Sequence, residues 1–231
     1  MTTTSISTSF CDRLRQAAWP IWEQQLQHPF VRALGDGTLP PDTFQFYIRQ
    51  DARYLDDFAK CYAYAIAKTA DHGEIQRFGD GILRVLEVER GIHQRYAGRF
   101  GVSAEEMKAT PMAPTTFAYT RHMLYVSATG SKAALLAAIL PCAWVYAEVG
   151  RHFGRLLGGE PPQDHPYAEW IRTYSSPEFE EVGAWLRQLL EEEAAGLPER
   201  ELARLEEIFL TSSRYEYMFW DMAQKQDQWP V

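Results

Sequence analysis

The sequence predicts an all-α protein, a single domain folded as a helical bundle. Three observations carry this. Apolar residues recur at three- and four-residue intervals along most of the chain, and no stretch alternates strictly as a half-buried strand would. The breaks between periodic stretches are short and rich in Pro and Gly, the size of connections between packed helices. One segment, Ala133 to Ala147 (AALLAAILPCAWVYA), is apolar on every side, as a helix in the middle of a bundle must be.

Each element follows from local chemistry. A first helix is expected from about Phe10 to Gln27, ending before His28-Pro29 because the residue preceding a proline is pushed out of the α region. A short helical turn and the break Gly35-Asp36-Gly37 come next. Asp42, after Pro40-Pro41, is expected to cap a long helix reaching about Ala70. A further helix is expected from about Gly73 to Phe100, closed by Gly101. Pro111 and Pro114 mark a loop, after which Thr115 is expected to cap a helix through Ser127. Gly130 separates it from a helix over Ser131 to Leu157, bent where Pro141 removes a backbone donor and crowds the preceding turn. Gly158 to Pro162 is the best linker-like stretch, yet it is short enough to be a turn between helices rather than a domain boundary. Helices over about His165 to Thr173, Glu178 to Ala195 and Glu199 to Lys225 complete the chain. Residues 1–9, rich in Thr and Ser, read as a flexible arm, and residues 10–231 as the one helical domain.

Composition narrows the function. A chain of 231 residues can bury a sizeable core, and 46% hydrophobic with 23% charged residues excludes wholesale disorder. The net charge is −8 and no basic run occurs, so the cationic footprint that nucleic-acid binding requires is missing. The apolar run Ala133 to Ala147 is too short to span a bilayer and contains a proline; a buried helix is expected, with no membrane partner. No basic stretch followed by an apolar one opens the chain. Cys11, Cys61 and Cys142 are odd in number and far apart, forming neither a disulfide framework nor a CxxC clip, so a cytoplasmic, reducing compartment is expected.

Several polar groups stand where apolar ones are expected. Cys142 directly follows Pro141, where a bend can turn a side chain toward a cavity; it is either a nucleophile or a small core residue. Asp51 lies amid the stripe Phe44, Tyr47, Ile48, Tyr54, Leu55, Phe58 and Tyr62, as a satisfied core carboxylate or as part of a site. Glu216 shares a face with Phe209, Ser212, Ser213 and Trp220. It either reaches solvent or an arginine such as Arg214, or is buried, and burial would raise its pKa toward that of a general acid. Tyr54, Tyr119, Tyr146 and Tyr174 are core residues singly, but together they suit a pocket for a flat heteroaromatic ligand. The pairs Glu89/His93 and Glu148/His152 could each put two ligands on one helix face, but the histidines are otherwise scattered and no metal site is expected.

Five segments in order then carry a resemblance: HPFVRALGDGTLP (His28 to Pro40), FYIRQDARYL (Phe46 to Leu55), LPCAWVYAEVG (Leu140 to Gly150), YAEWIRTYSSPEF (Tyr167 to Phe179) and SSRYEYMFWDMA (Ser212 to Ala223). Together they resemble the TenA/thiaminase II family, over about Phe10 to Trp229. The resemblance implies a haem-oxygenase-like helical fold, a homotetramer, and a hydrolase of thiamin salvage that uses no cofactor. Its implied substrates are 4-amino-5-aminomethyl-2-methylpyrimidine and, in many members, thiamin. By motif match Cys142 takes the position of the nucleophile and Glu216 that of the acid. Asp51, Tyr146 and Tyr174 match substrate-contacting positions, while Tyr54 and Tyr119 match tyrosines around the thiol and ring. Arg53 and Ala143 depart from common family residues and are expected to alter the pocket rim. Two other classes remain open at this point: a haem or di-metal oxidase of the same fold, and a non-enzymatic pyrimidine-binding or regulatory protein.

Overall fold

The computed structural model describes residues 9–89, 91, 95, 98, 106 and 109–231. Among these it is helical, with no strand. Helix α1 spans Phe10–Leu26 and α2 spans Pro29–Asp36. α3 spans Pro41–Ile66, and α4 spans His72–Arg84 before passing into a π-helical turn over Val85–Glu89. α5 spans Pro114–Thr129 and α6 Lys132–Leu157. α7 spans Ala168–Tyr174, α8 Pro177–Ala194 and α9 Glu199–Lys225. The expected end of the fourth helix at Phe100-Gly101 and residues 1–8 of the expected arm lie outside the described residues.

Several helix starts use the side-chain caps that short polar residues favour. Ser9, Asp71, Ser131 and Ser176 each accept a hydrogen bond from a first-turn N–H. Two expected caps are corrected. Asp42 is not the cap of α3: the helix begins one residue earlier, after Pro40, with Asp42 inside its first turn where the helix dipole favours a carboxylate. Thr115 does not cap α5, which starts at Pro114 behind Ala113 with no side-chain cap. There a distant residue fixes the entry: Gln50 of α3 accepts from the Ala113 N–H (2.8 Å) and donates to the Pro111 carbonyl (3.0 Å).

α6 forms the middle of the molecule and packs against α9, α8, α5 and α7. It is the one helix among the described residues with the length and hydropathy of a membrane span, and 94% of its most apolar window is buried inside the fold. Leu135, Leu136, Ile139 and Leu140 are wholly buried, each contributing about 2 kcal/mol relative to exposure. α3 packs on α5 and α4, and α1 lies along α9.

Buried polar ties fix α1 and α9 against each other. The Trp22 indole donates to Ser213 Oγ (3.2 Å), and Gln25 Nε2 donates to the Ser213 carbonyl (3.2 Å). Gln25 Oε1 in turn accepts from the Trp220 indole (3.0 Å). A shift of one helix past the other would strand these buried groups, at a cost of about 1–3 kcal/mol each. At its start α1 is held by α8: both oxygens of Glu191 accept from the Phe10 and Cys11 N–H groups, at 2.8 and 2.9 Å.

Candidate active site

A cavity of about 270 Å³ opens between α3, α4, α6, α7 and α8. Asp51, Leu55, Phe58 and Tyr62 line it from one stripe of α3, at helical spacing. α6 contributes Cys142, Ala143 and Tyr146, and the end of α7 contributes Tyr174. Cys142 is half-buried, whereas Cys11 and Cys61 are buried and do not line the cavity; all three are free thiols. Tyr174 reaches the cavity because α7 lies almost in contact with α6. A Cβ on Gly150 would sit 2.1 Å from the Tyr174 carbonyl oxygen, so only glycine permits that approach.

The aromatic rings make a rigid wall. The Tyr146 and Tyr174 rings are 4.8 Å apart, and Tyr146 also packs at 5.0 Å on Trp220. The Tyr146 hydroxyl is set by Tyr47, whose own hydroxyl lies 3.2 Å away and accepts from the Trp170 indole at 3.4 Å. These partners make Tyr47 a positioning group for Tyr146.

Glu216, Tyr54 and Tyr119 stand one layer behind the lining. Glu216 is 2% exposed, and its carboxylate accepts from the Tyr119 hydroxyl at 2.5 Å. Burial in this apolar surround pushes its pKa up to about 8, opposed by the Tyr119 hydrogen bond and reinforced by the nearby Asp51 charge. The carboxyl is therefore mostly protonated at neutral pH. Arg214 is not its partner, since it pairs with Glu207 at the surface (2.8 Å). Tyr54 interacts through its hydroxyl with the Cys142 thiol and with Tyr119, whose ring is 5.1 Å from its own. The same hydroxyl also points at the Met123 sulfur, 3.4 Å away, a weak acceptor that it can leave by rotation. Burial holds the Tyr54, Tyr119 and Tyr146 phenols well above the usual pKa, so each keeps its proton. A continuous polar path thus joins Cys142, Tyr54, Tyr119 and Glu216 inside an otherwise apolar core.

All seven residues singled out from the sequence fall in this one region, four on the cavity surface and three behind it. Ala143 also lines the cavity. Arg53 does not; its guanidinium lies 3.4 Å from Asp56. The α4 and α8 walls of the cavity were missed: Arg77, Asp80, Arg84 and Val85 from α4 and its π turn, and Glu178, Phe179, Glu181, Val182 and Trp185 from α8. Leu55, Phe58 and Tyr62 could have been found as the continuation of the Asp51 stripe, but the α8 residues carry no such signal. The Glu148/His152 spacing is not a ligand pair, because Glu148 is bridged by Arg151 (2.8 Å) and Arg15 (3.2 Å). His93 of the other pair lies outside the described residues. Among the described residues no three His, Cys, Asp or Glu side chains come together as a metal site.

A helical bundle whose cavity is lined by a thiol, a carboxylate and packed tyrosines, with a second carboxyl behind them, defines the class of protein. The chain belongs to the TENA/THI-4/PQQC family, whose model matches residues 15–226. It is 46% identical over 222 residues to an aminopyrimidine aminohydrolase of Halalkalibacterium halodurans, covering 96% of this chain and 98% of that one. It is 39% identical over 228 residues to the aminopyrimidine aminohydrolase of Bacillus subtilis, covering 95% and 92%. Among solved structures it is similar to a TenA homologue protein from P. horikoshii, with a TM-score of 0.85, 29% identity and coverage of 94% and 99%. A domain with a heme oxygenase-like fold from Shewanella denitrificans superimposes with a TM-score of 0.71 at 16% identity, covering 94% and 92%, a likeness of fold alone.

Proposed function

We infer that the chain is an aminopyrimidine aminohydrolase, a hydrolase that replaces the amine on the exocyclic methylene of an aminopyrimidine with hydroxyl. The observation that carries this is the meeting of Cys142 and Asp51 on one cavity, with a neutral Glu216 tied to the thiol through Tyr54 and Tyr119. The substrate by this reading is 4-amino-5-aminomethyl-2-methylpyrimidine, and thiamin is a second one, with its thiazole in place of the amine. The family relatives named aminopyrimidine aminohydrolases support the reaction class.

The chemistry follows from the side chains. Asp51 accepts from the amino edge of the ring while Tyr146 and Tyr174 hold its faces and rim. The Cys142 thiol gives up its proton along Tyr54, and its sulfur adds to the ring carbon next to the one bearing the methylene. The displaced electron pair settles on a ring nitrogen, which Glu216 protonates, so no isolated charge is left in the buried site. That nitrogen then drives the electron pair back through the ring and expels the amine, which enters as the ammonium and so leaves the methylene as neutral ammonia. Water adds to the exposed methylene and releases a proton, which the departing ammonia takes up. The ring nitrogen returns its proton to Glu216, and the carbon–sulfur bond breaks to restore the aromatic ring and, by the proton relayed back along Tyr54, the thiol. One water is consumed and one amine released per turnover. A homotetrameric assembly and a cytoplasmic location belong to the same proposal.

The test is ammonia release from the aminomethylpyrimidine by the wild type and by Cys142→Ser. The variant is expected to melt within a few degrees of the wild type and to lose about a thousandfold or more in kcat. Comparable turnover in the variant would overturn catalysis by this thiol. Tight binding of the pyrimidine by the wild type without ammonia release would make the protein a carrier instead.

A further inference from the structure

The walls of the cavity differ: Asp51, Tyr146 and Tyr174 are buried, whereas Arg77 and Asp80 of α4 and Glu181 of α8 are exposed. On the exposed side α8 presents the face of Trp185, and the Arg77 guanidinium of α4 lies 4.7 Å from that ring's centroid. Arg77 also contacts Glu181 through Nη2, at 3.2 Å from Oε1. The arrangement is a seat for a planar cation: an aromatic face beneath it and a carboxylate at its edge. In this structure the protein's own arginine occupies it. Phe78 packs against Trp185, with ring centroids 4.7 Å apart at an interplanar angle of 58°.

The seat lines the same cavity as Cys142, on its solvent-exposed side, the side left for a departing group when the ring is held by the buried Asp51, Tyr146 and Tyr174. The two sides of the Arg77 clip are solvent-accessible, with Arg77 45% and Glu181 75% exposed, so the ion pair is weak and the guanidinium can swing out. We propose that Arg77 is a specificity-determining residue: it occupies the Trp185–Glu181 seat and thereby disfavours substrates whose leaving group is a planar heteroaromatic cation, while small amine leaving groups, too short to reach the seat, are unaffected. This rests on the aminohydrolase reading for the buried side of the cavity but concerns the leaving group alone.

The experiment compares kcat/KM for thiamin, whose leaving group is a flat cation, with kcat/KM for the aminomethylpyrimidine, in wild type, Arg77→Ala and Arg77→Lys. In Arg77→Ala the ratio of thiamin to aminomethylpyrimidine is expected to rise about three- to tenfold, mostly through a lower KM for thiamin. Arg77→Lys, which keeps the charge but stacks less well on the indole, is expected to fall between the two. Trp185→Leu in the Arg77→Ala background is expected to remove the gain, which a general loosening of the cavity mouth would not do. An unchanged ratio in Arg77→Ala, or a gain that survives Trp185→Leu, would overturn the proposal. Absence of turnover of either compound by the wild type would instead defeat the aminohydrolase reading itself.

Discussion

Glu216 is the residue whose chemistry depends most on its surroundings. With its pKa near 8, it donates at neutral pH and stops donating as the pH passes through about 8. The rate is therefore expected to fall on the alkaline side with a midpoint near that value, measured as kcat against pH. The same shift bears on stability. A carboxyl that binds its proton more tightly when folded stabilises fully below its ordinary value of 4.5, and that contribution is lost as pH rises toward 8. At about 1.4 kcal/mol per pKa unit the loss amounts to a few kcal/mol by neutral pH. Glu216→Gln can still accept from Tyr119 but cannot ionise. It is expected to match the wild-type melting temperature near pH 5, exceed it near pH 8, and lose rate far more than affinity for the pyrimidine. A variant that melts below wild type at both pH values, or that loses affinity rather than rate, would show Glu216 to be a packing or binding group.

At the scale of the helix, the site is assembled by close approaches that only particular residues permit. Gly150 lets the end of α7 rest on α6, and Gly81 does the same for α4 on α3, where a Cβ would meet the Tyr62 ring at 2.6 Å. Gly150→Ala is expected to cost about 1–3 kcal/mol in denaturant titration. It is also expected to lower kcat/KM, because Tyr174 must move with its backbone. Stability lost with kcat/KM intact would mean that Tyr174 is not a substrate contact. The helices themselves were legible from apolar periodicity, and Asp51 and Glu216 stood out as charges on aromatic faces. Cys142 was legible through Pro141, which breaks an otherwise uniform apolar run. The contribution of α8 was not. Phe179, Val182 and Trp185 repeat at ordinary helical spacing, and such a face reads the same whether it packs solidly or borders a void. Nor was the entry of α5 legible, since the residue that serves it, Gln50, lies 63 positions earlier in the chain.

At the scale of the whole molecule, the helices that line the cavity share one hydrophobic core, so filling the cavity should be felt globally. A ligand at a hundred times its Kd stabilises the folded state by about 2.7 kcal/mol. For a chain of this size that is expected to raise Tm by roughly 5–10 °C. The hydroxymethyl pyrimidine product, which cannot react further, is the probe; an unchanged thermal melt at saturating product would argue that the cavity is not its site.

The tie between the two ends of the chain has a consequence for biosynthesis. The opening turn of α1 is closed by Glu191, and its far end is bound through Trp22 and Gln25 to Ser213 and Trp220. None of these partners has been translated when α1 leaves the ribosome, and at about 5–20 residues per second they arrive many seconds later. Until then the first helix has only α2 and, later, α6 and α8 to pack on, and lacks α9, along which most of it lies. The buried polar ties of the first helix therefore close only after α9 has been made, and until then that helix stays open to chaperones and proteases.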